Sequence, residues 1–415
     1  MSLLIKNIKS LVGISEPGIR CLKGNAMADL NAINHAWLIC KNGLISDFGK
    51  HDGTETEKLG ALKGETIDAS GKMVLPSWCD SHTHLVFAGP REGEFVDRIK
   101  GLSYEDIARN GGGILNSAKK LNATSEEELF ESALQRIMEI ISHGTGAVEI
   151  KSGYGLSVEG ELKMLRVIKR LKEVSPIQIK ANFLGAHAMP TEFKENRNGY
   201  IKLMTDEMLP AIAQEKLADF IDVFCDRGFY TVEETDRILE AGAKYGLKPK
   251  IHANELDYSG GIQVGVKHHA LSVDHLEFTG DDEIKCLLAS ETMPTLLPST
   301  AFFLGLHDPP ARKMIDAGLP VALASDYNPG SSPSGRMSFI ISLACIRLKM
   351  LPAEAIRAAT LNSAYAMGLE KECGSITKGK RANFFITSSM PSFAYIPYRY
   401  GNDEIEQVII DGKLI

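Results

Sequence analysis

The rhythm of apolar and polar positions changes near residue 73. From there, short runs rich in β-branched residues alternate with longer charged segments of helical period. The runs are "MVLPSWCD" from Met73, "GAVEIKS" from Gly146, "IQIKANFLGA" from Ile177 and "FIDVFCD" from Phe220. They continue with "KPKIHAN" from Lys248, "ALSVDH" from Ala270, "TMPTLLP" from Thr292 and "PVALASD" from Pro320. Helical patterns between them include "SEEELFESALQRIMEIIS", "SVEGELKMLRVIKRLKEV" and "TVEETDRILEAGAKYG". Alternating strands and helices form parallel sheets, and eight such units predict a closed (β/α)8 barrel of the TIM type in the α/β class. The alternative is an open doubly wound sheet, which needs a strand order with a topological switch point.

Both ends of the chain depart from this pattern. "AWLICKNGLISDFGK" holds two alternating runs joined by Asn42-Gly43. That dipeptide predicts a hairpin, because the favoured two-residue turn needs positive φ at both central positions. "GSITKGKRANFFITSS" and "EIEQVIIDGKLI", the latter with Asp411-Gly412, read as further strands. Residues 1–72 and 374–415 are therefore expected to form one small composite β-sandwich against a barrel spanning 73–373. No internal repeat or low-complexity linker interrupts the chain.

Composition narrows the function classes. The 415 residues are 44% hydrophobic and 24% charged, enough for one large core and a smaller second one. A net charge of -7 without a Lys/Arg cluster makes nucleic acid an unexpected partner. The seven cysteines stand singly with no CxxC, which points to free thiols in a reducing compartment. The N-terminal stretch is broken by Lys6 and Lys9 and has no signal-peptide core, and no apolar run reaches membrane length. The expectation is a cytoplasmic protein with no membrane partner.

Candidate chemistry begins at His82-Thr83-His84, where the first run ends. Side chains on extended backbone repeat every second position, so both imidazoles face one side and can bind one metal ion together. An isolated HxH is more often a surface or satisfied core pair than a metal site. Here it has company. His187 follows the third run, His252 lies in the fifth with Glu255 three residues on, His275 ends the sixth and Asp326 ends the eighth. The carboxyl ends of barrel strands converge on one face. Three imidazoles and a carboxylate suit zinc or iron with positions left for water.

This order resembles the amidohydrolase superfamily, which places HxH after strand 1, His after strands 5 and 6, and Asp after strand 8. Binuclear members also use a bridging lysine on strand 4. Here the fourth run ends in Cys225-Asp226, and Lys151 falls on the second. The resemblance then implies one ion held by His82, His84, His252 and Asp326, with His275 just outside as a hydrogen-bonding group. A binuclear site through Lys151 is the alternative if the strand numbering shifts.

The loops "HTHLVFAGPREGEF", "NGGGI", "VEIKSGYGL", "FLGAHAMP", "DVFCDRGFY", "HANEL", "SVDHLE" and "SDYNPGSSP" together resemble the imidazolonepropionase family over the whole chain. That family opens the ring of 4-imidazolone-5-propionate to N-formimidoyl-L-glutamate in histidine degradation. The resemblance implies one zinc or iron ion per subunit and a homodimer. It implies that Arg91 anchors the propionate, and that Tyr154, His187 and Glu255 contact substrate. Asn328, Gly330 and Ser331 would contact substrate or product, and Glu255, His275 and Asp326 would form the acid–base set. Two departures from the family are Asn254 and Asn383, each where Asp is usual. Gly111-Gly112-Gly113 is no phosphate loop, since no Lys-Ser/Thr follows; it reads as a mobile or close-approach loop near the site, with Tyr104 close by. Competing readings are a deaminase of guanine or cytosine and a ligand sensor without catalysis. Arg91 and the loops speak against a neutral base, and the acid–base set speaks against a sensor.

Overall fold

A computed structural model describes residues 2–53, 64–102 and 112–415. Two eight-stranded sheets dominate it. The chain begins with β1 (Ser2–Val12), β2 (Ala32–Lys41), β3 (Leu44–Lys50), β4 (Glu65–Asp68) and β5 (Lys72–Pro76). The barrel strands follow: β6 (Trp78–Asp80), β7 (Thr145–Lys151), β8 (Gln178–Ala186), β9 (Phe220–Cys225), β10 (Lys248–Ala253), β11 (Ser272–His275), β12 (Met293–Leu296) and β13 (Ala322–Leu323). The chain returns through β14 (Phe384–Ser389), β15 (Ile405–Ile410) and β16 (Lys413–Leu414).

The first sheet has the order β16-β15-β14-β5-β1-β2-β3, with β4 also paired to β1, so both termini build it. A register shift between Ile5 and Ile8, at Asn7 with φ 56°, divides β1. Its first half pairs with β4 and its second with β5. The two tight hairpins form as their dipeptides predict, with positive φ at Asn42 and Gly43 (51° and 82°) and at Asp411 and Gly412 (49° and 68°). The strands form one hydrogen-bonded sheet that encloses its own core, in which Leu3, Ile5, Leu38, Phe384 and Ile409 share one cluster.

The run "MVLPSWCD" is two strands, not the one the pattern suggests. Lys72–Pro76 pairs with β14 in the terminal sheet, whereas Trp78–Asp80 pairs with β7 in the barrel. The expected division between residues 72 and 73 therefore falls inside a strand of the terminal sheet. Pro76 has no N–H to offer a ladder, and the N–H of Ser77 goes to the Asn383 carbonyl at 3.1 Å, so the chain crosses between sheets there. Both halves are buried, and hydrophobicity alone cannot mark the change.

Strands β6 to β13 lie side by side in chain order, all parallel. The last strand is only two residues long. The barrel closes beyond it, where Asp326 N–H donates to the His82 carbonyl (3.0 Å) and His84 N–H to the Tyr327 carbonyl (2.9 Å). The Asp80 carboxylate accepts both the backbone N–H (2.9 Å) and the hydroxyl (2.5 Å) of Ser325. Three of the residues the sequence marks as ligands, His82, His84 and Asp326, thus lie on the closing seam.

The helices Glu126–Ser142, Val158–Val174 and Val232–Ala243 start on Ser125, Ser157 and Thr231, whose hydroxyls accept an N–H of the first turn. Such a cap contributes about 1 kcal/mol. All seven cysteines are free thiols. No helix among the described residues is long and apolar enough to cross a membrane.

Candidate active site

His82 and His84 follow β6, His252 lies in β10, His275 ends β11 and Asp326 follows β13; all five are buried. His275 and Asp326 have positive φ, 83° and 53°. Such backbone costs of order 1–3 kcal/mol in a non-glycine residue and persists where surrounding contacts fix it. For Asp326 those contacts are its N–H bond to His82 and the Thr300 hydroxyl, which donates to Oδ2 at 2.6 Å.

The imidazoles converge. Ligand atoms of His82, His84 and His252 lie within 4.8 Å of one another, as do those of His82, His275 and Asp326. Asp326 Oδ1 stands 3.5 Å from His82 Nε2 and 3.4 Å from His84 Nε2. His82 Nδ1 meets Asp274 Oδ2 at 2.6 Å, and His252 Nδ1 meets Asp222 Oδ1 at 3.1 Å. These carboxylates accept the Nδ1 protons and turn each Nε2 toward the centre. Yet Nε2 of His82 and of His252, and Nδ1 of His84, are buried without a hydrogen-bond partner. Buried polar atoms are rarely left so, and the Nε2 atoms of His82 and His252 would find their partner in a cation held between the rings. Burial, reinforced by neighbouring positive groups, pushes His82, His84 and His275 well below the ordinary histidine range. The neutral ring is the form a metal needs. Burial raises Asp326 to about 6, and a nearby cation would favour its ionised form.

A buried ionic layer lies beneath. Lys151 donates to Glu149 Oε1 (2.6 Å) and Asp222 Oδ2 (2.7 Å), while Lys250 donates to the Ser81 carbonyl (2.8 Å) and to Glu149. Burial opposes the charge on Lys151, but Asp222, Glu149 and Asp274 outweigh it and hold its pKa above the usual lysine range. Lys151 therefore sits on the second barrel strand and pairs with Asp222, the carboxylate behind His252. The sequence reasoning missed Glu149, Asp222, Lys250 and Asp274. Their signal was available: Glu149 and Lys151, or Lys250 and His252, are polar residues two apart inside apolar runs, the spacing of an inward face.

Glu255 Oε2 lies 3.6 Å from His275 Nδ1. Its loop is pinned by Asp226, whose Oδ2 accepts the N–H of Glu255 (2.7 Å) and Leu256 (2.9 Å). Burial, then Asp326 and Asp226, push the Glu255 carboxyl up to about 8, which favours its protonated form. Asn254 (φ 55°) donates its amide to the Phe278 carbonyl at 2.9 Å. Asn383 sits between the sheets, its Oδ1 accepting the N–H of Asp411 at 2.8 Å.

Around the cluster, His187 stacks on His84 (centroids 5.1 Å, 17°), and Tyr154 stands 5.3 Å from His187 and 5.8 Å from His84. Burial and His252 push His187 down to about 3. Arg91 donates Nε (2.9 Å) and Nη2 (2.5 Å) to Glu94 Oε2, and Glu94 Oε1 accepts the Gly113 N–H at 3.0 Å. The guanidinium lies against Gly330: a Cβ there would fall 2.2 Å from Arg91 Nη1. Asn328 braces the same loop, donating to the Asp326 carbonyl and to Ser331 Oγ (both 2.7 Å) and accepting from Gly330 and Ser331 N–H (2.7 and 2.8 Å). Ser331 Oγ reaches to 3.5 Å from Asp326 Oδ2. Tyr104 and Gly111 lie outside the described residues.

Comparison with known proteins adds a family context. The amidohydrolase family model matches residues 73–415. A protein of Flavobacterium johnsoniae named imidazolonepropionase is 58% identical, covering 100% of both chains. One of Christiangramia forsetii with the same name is 54% identical, again over 100% of each. Among solved structures, E. coli guanine deaminase superposes with a TM-score of 0.75 at 14% identity, covering 100% of this chain and 99% of that one, a likeness of fold.

Proposed function

The chain belongs to the amidohydrolase family and, within it, to the imidazolonepropionases, and on that premise we propose how its residues open the ring of 4-imidazolone-5-propionate to N-formimidoyl-L-glutamate. The full-length identity to the named relatives carries the substrate, and the geometry supplies the means. His82, His84, His252 and Asp326 would hold one zinc or iron ion, whose charge when bound brings the pKa of a water to about 7.

Each protein group then has a task its surroundings support. Asp326, with Oδ2 engaged by Thr300, points Oδ1 at the imidazoles and accepts the proton of the attacking water. Glu255 holds a proton at neutral pH and delivers it to the departing ring nitrogen. His275, beside Glu255, polarises the ring carbonyl. Arg91 pairs with the propionate, sharing its guanidinium with Glu94 and lying against Gly330. Tyr154 and His187 form the ring-side wall, and the Asn328–Ser331 loop lies along the anchored end.

The same proposal includes a cytoplasmic homodimer with one ion per subunit, checked by light scattering and elemental analysis. The decisive assay follows the ultraviolet absorbance of 4-imidazolone-5-propionate mixed with purified protein, with guanine and cytosine as controls. Loss of the imidazolone signal alone is expected. Turnover of a base with none of the imidazolone would make the chain a deaminase instead.

A further inference from the structure

The turn Ser152–Leu156 after β7 carries Tyr154 and touches His187, and one buried carboxylate organises it. Glu161, in the first turn of the helix Val158–Val174, is fully buried. Its Oε1 accepts the N–H of Gly155 (2.7 Å) and Leu156 (2.9 Å), and its Oε2 accepts that of Gly153 (3.0 Å). Two residues of the turn have positive φ, Gly153 at 104° and Leu156 at 50°. Gly155 leaves no room for a side chain, since a Cβ there would lie 2.2 Å from the Glu161 nitrogen. The carboxylate thus fixes a turn whose backbone would not hold that shape by itself.

The turn passes this geometry on. The Gly153 carbonyl lies 3.0 Å from His187 Nδ1. A carbonyl oxygen only accepts, so Nδ1 carries the ring proton. A Cβ at residue 153 would lie 2.9 Å from the same nitrogen, so the approach depends on glycine.

We propose that Glu161 is a positioning residue for substrate recognition: by bracing the 152–156 turn it locks His187 in the Nδ1-protonated tautomer, so that Nε2 meets the substrate as an acceptor. An acceptor suits a ring N–H and disfavours a carboxylate. His187 therefore reads the ring while Arg91 takes the acidic chain, and together they set which end of the substrate faces the imidazole cluster. The substrate named here rests on the function proposed above; the tautomer does not.

The test uses zinc-loaded full-length protein with nitrogen-15-labelled histidine. Long-range proton–nitrogen correlations, recorded without substrate, are expected to show His187 protonated at Nδ1. Glu161→Gln keeps the volume but turns a donor toward backbone N–H groups. It is expected to mix the two His187 tautomers and raise KM about tenfold, with kcat and zinc content within about twofold. In a His187→Ala background the same change is expected to add less than about twofold, because the coupling runs through that ring. A wild-type ring protonated at Nε2 overturns the proposal, as does an unchanged tautomer and KM in Glu161→Gln, or a full KM effect in the His187→Ala background. Failure of the wild-type protein to turn over the imidazolone would remove the proposed activity and leave the tautomer measurement to decide on Glu161.

Discussion

The terminal sheet encloses Leu3, Ile5, Leu38, Phe384 and Ile409, whereas the barrel encloses Glu149, Lys151, Asp222, Lys250 and Asp274 beneath its imidazoles. Both sheets grow from apolar, β-branched runs, and both interiors exclude water. The first gains only from burial and packing. The second places charges where desolvation costs several kcal/mol each and offsets that cost by pairing them. The barrel interior is thus spent on orienting His82 and His252, while the terminal sheet contributes stability without touching the chemistry. Substitutions in the two should fail in different ways.

The sharpest contrast is His252→Ala. Metal content should fall to background and turnover below detection, with an unchanged far-ultraviolet spectrum; a fully metallated variant would remove His252 from the ligand set. Its counterpart is Phe384→Ala, which should lower unfolding free energy by about 3–5 kcal/mol in denaturant titrations. Its metal affinity and kcat should stay within about twofold, and loss of metal from folded protein would break the contrast.

Two further changes probe single links. Arg91→Gln should raise KM roughly a hundredfold while metal stays bound, because a partly buried charge pair with the substrate is lost; an unchanged KM would remove Arg91 as anchor. Asp274→Asn leaves the shape of the barrel interior but takes away the anion behind His82. Metal affinity should weaken about 10- to 100-fold in competition with a chelator.

The smallest expected effect is the pH dependence of Glu255. A proton donor with its pKa raised to about 8 is loaded below that pH and empties above it. kcat/KM should therefore rise on the acid side as Asp326, raised to about 6, ionises, and decline as pH rises through about 8. A profile flat to pH 10 would assign the donor to another group.

Much of the architecture was legible in the sequence, for identifiable reasons. Strand–helix alternation is a period signal, and eight repeats leave few topologies. Asn42-Gly43 and Asp411-Gly412 mark turns because few other residues adopt positive φ twice in succession. The HxH pair and the histidines of later runs stood out because imidazoles at strand ends are uncommon. The split of "MVLPSWCD" was hidden, because periodicity reports burial and not which sheet does the burying. The seam between residues 80–84 and 325–327 depends on contacts some 240 residues apart. Asp226, Glu161 and Glu94 were likewise invisible: each acts on backbone or side chains that only the folded loops bring near.

In the function proposed above, one ion held by the imidazoles at the barrel seam enables this chain to open the imidazolone ring. Its most direct test strips the purified protein with a chelator and returns zinc or iron stepwise while 4-imidazolone-5-propionate turnover is followed. Activity should be absent without metal and should rise linearly to a break at one ion per subunit. Turnover by the stripped protein, or a break at two ions, would contradict it.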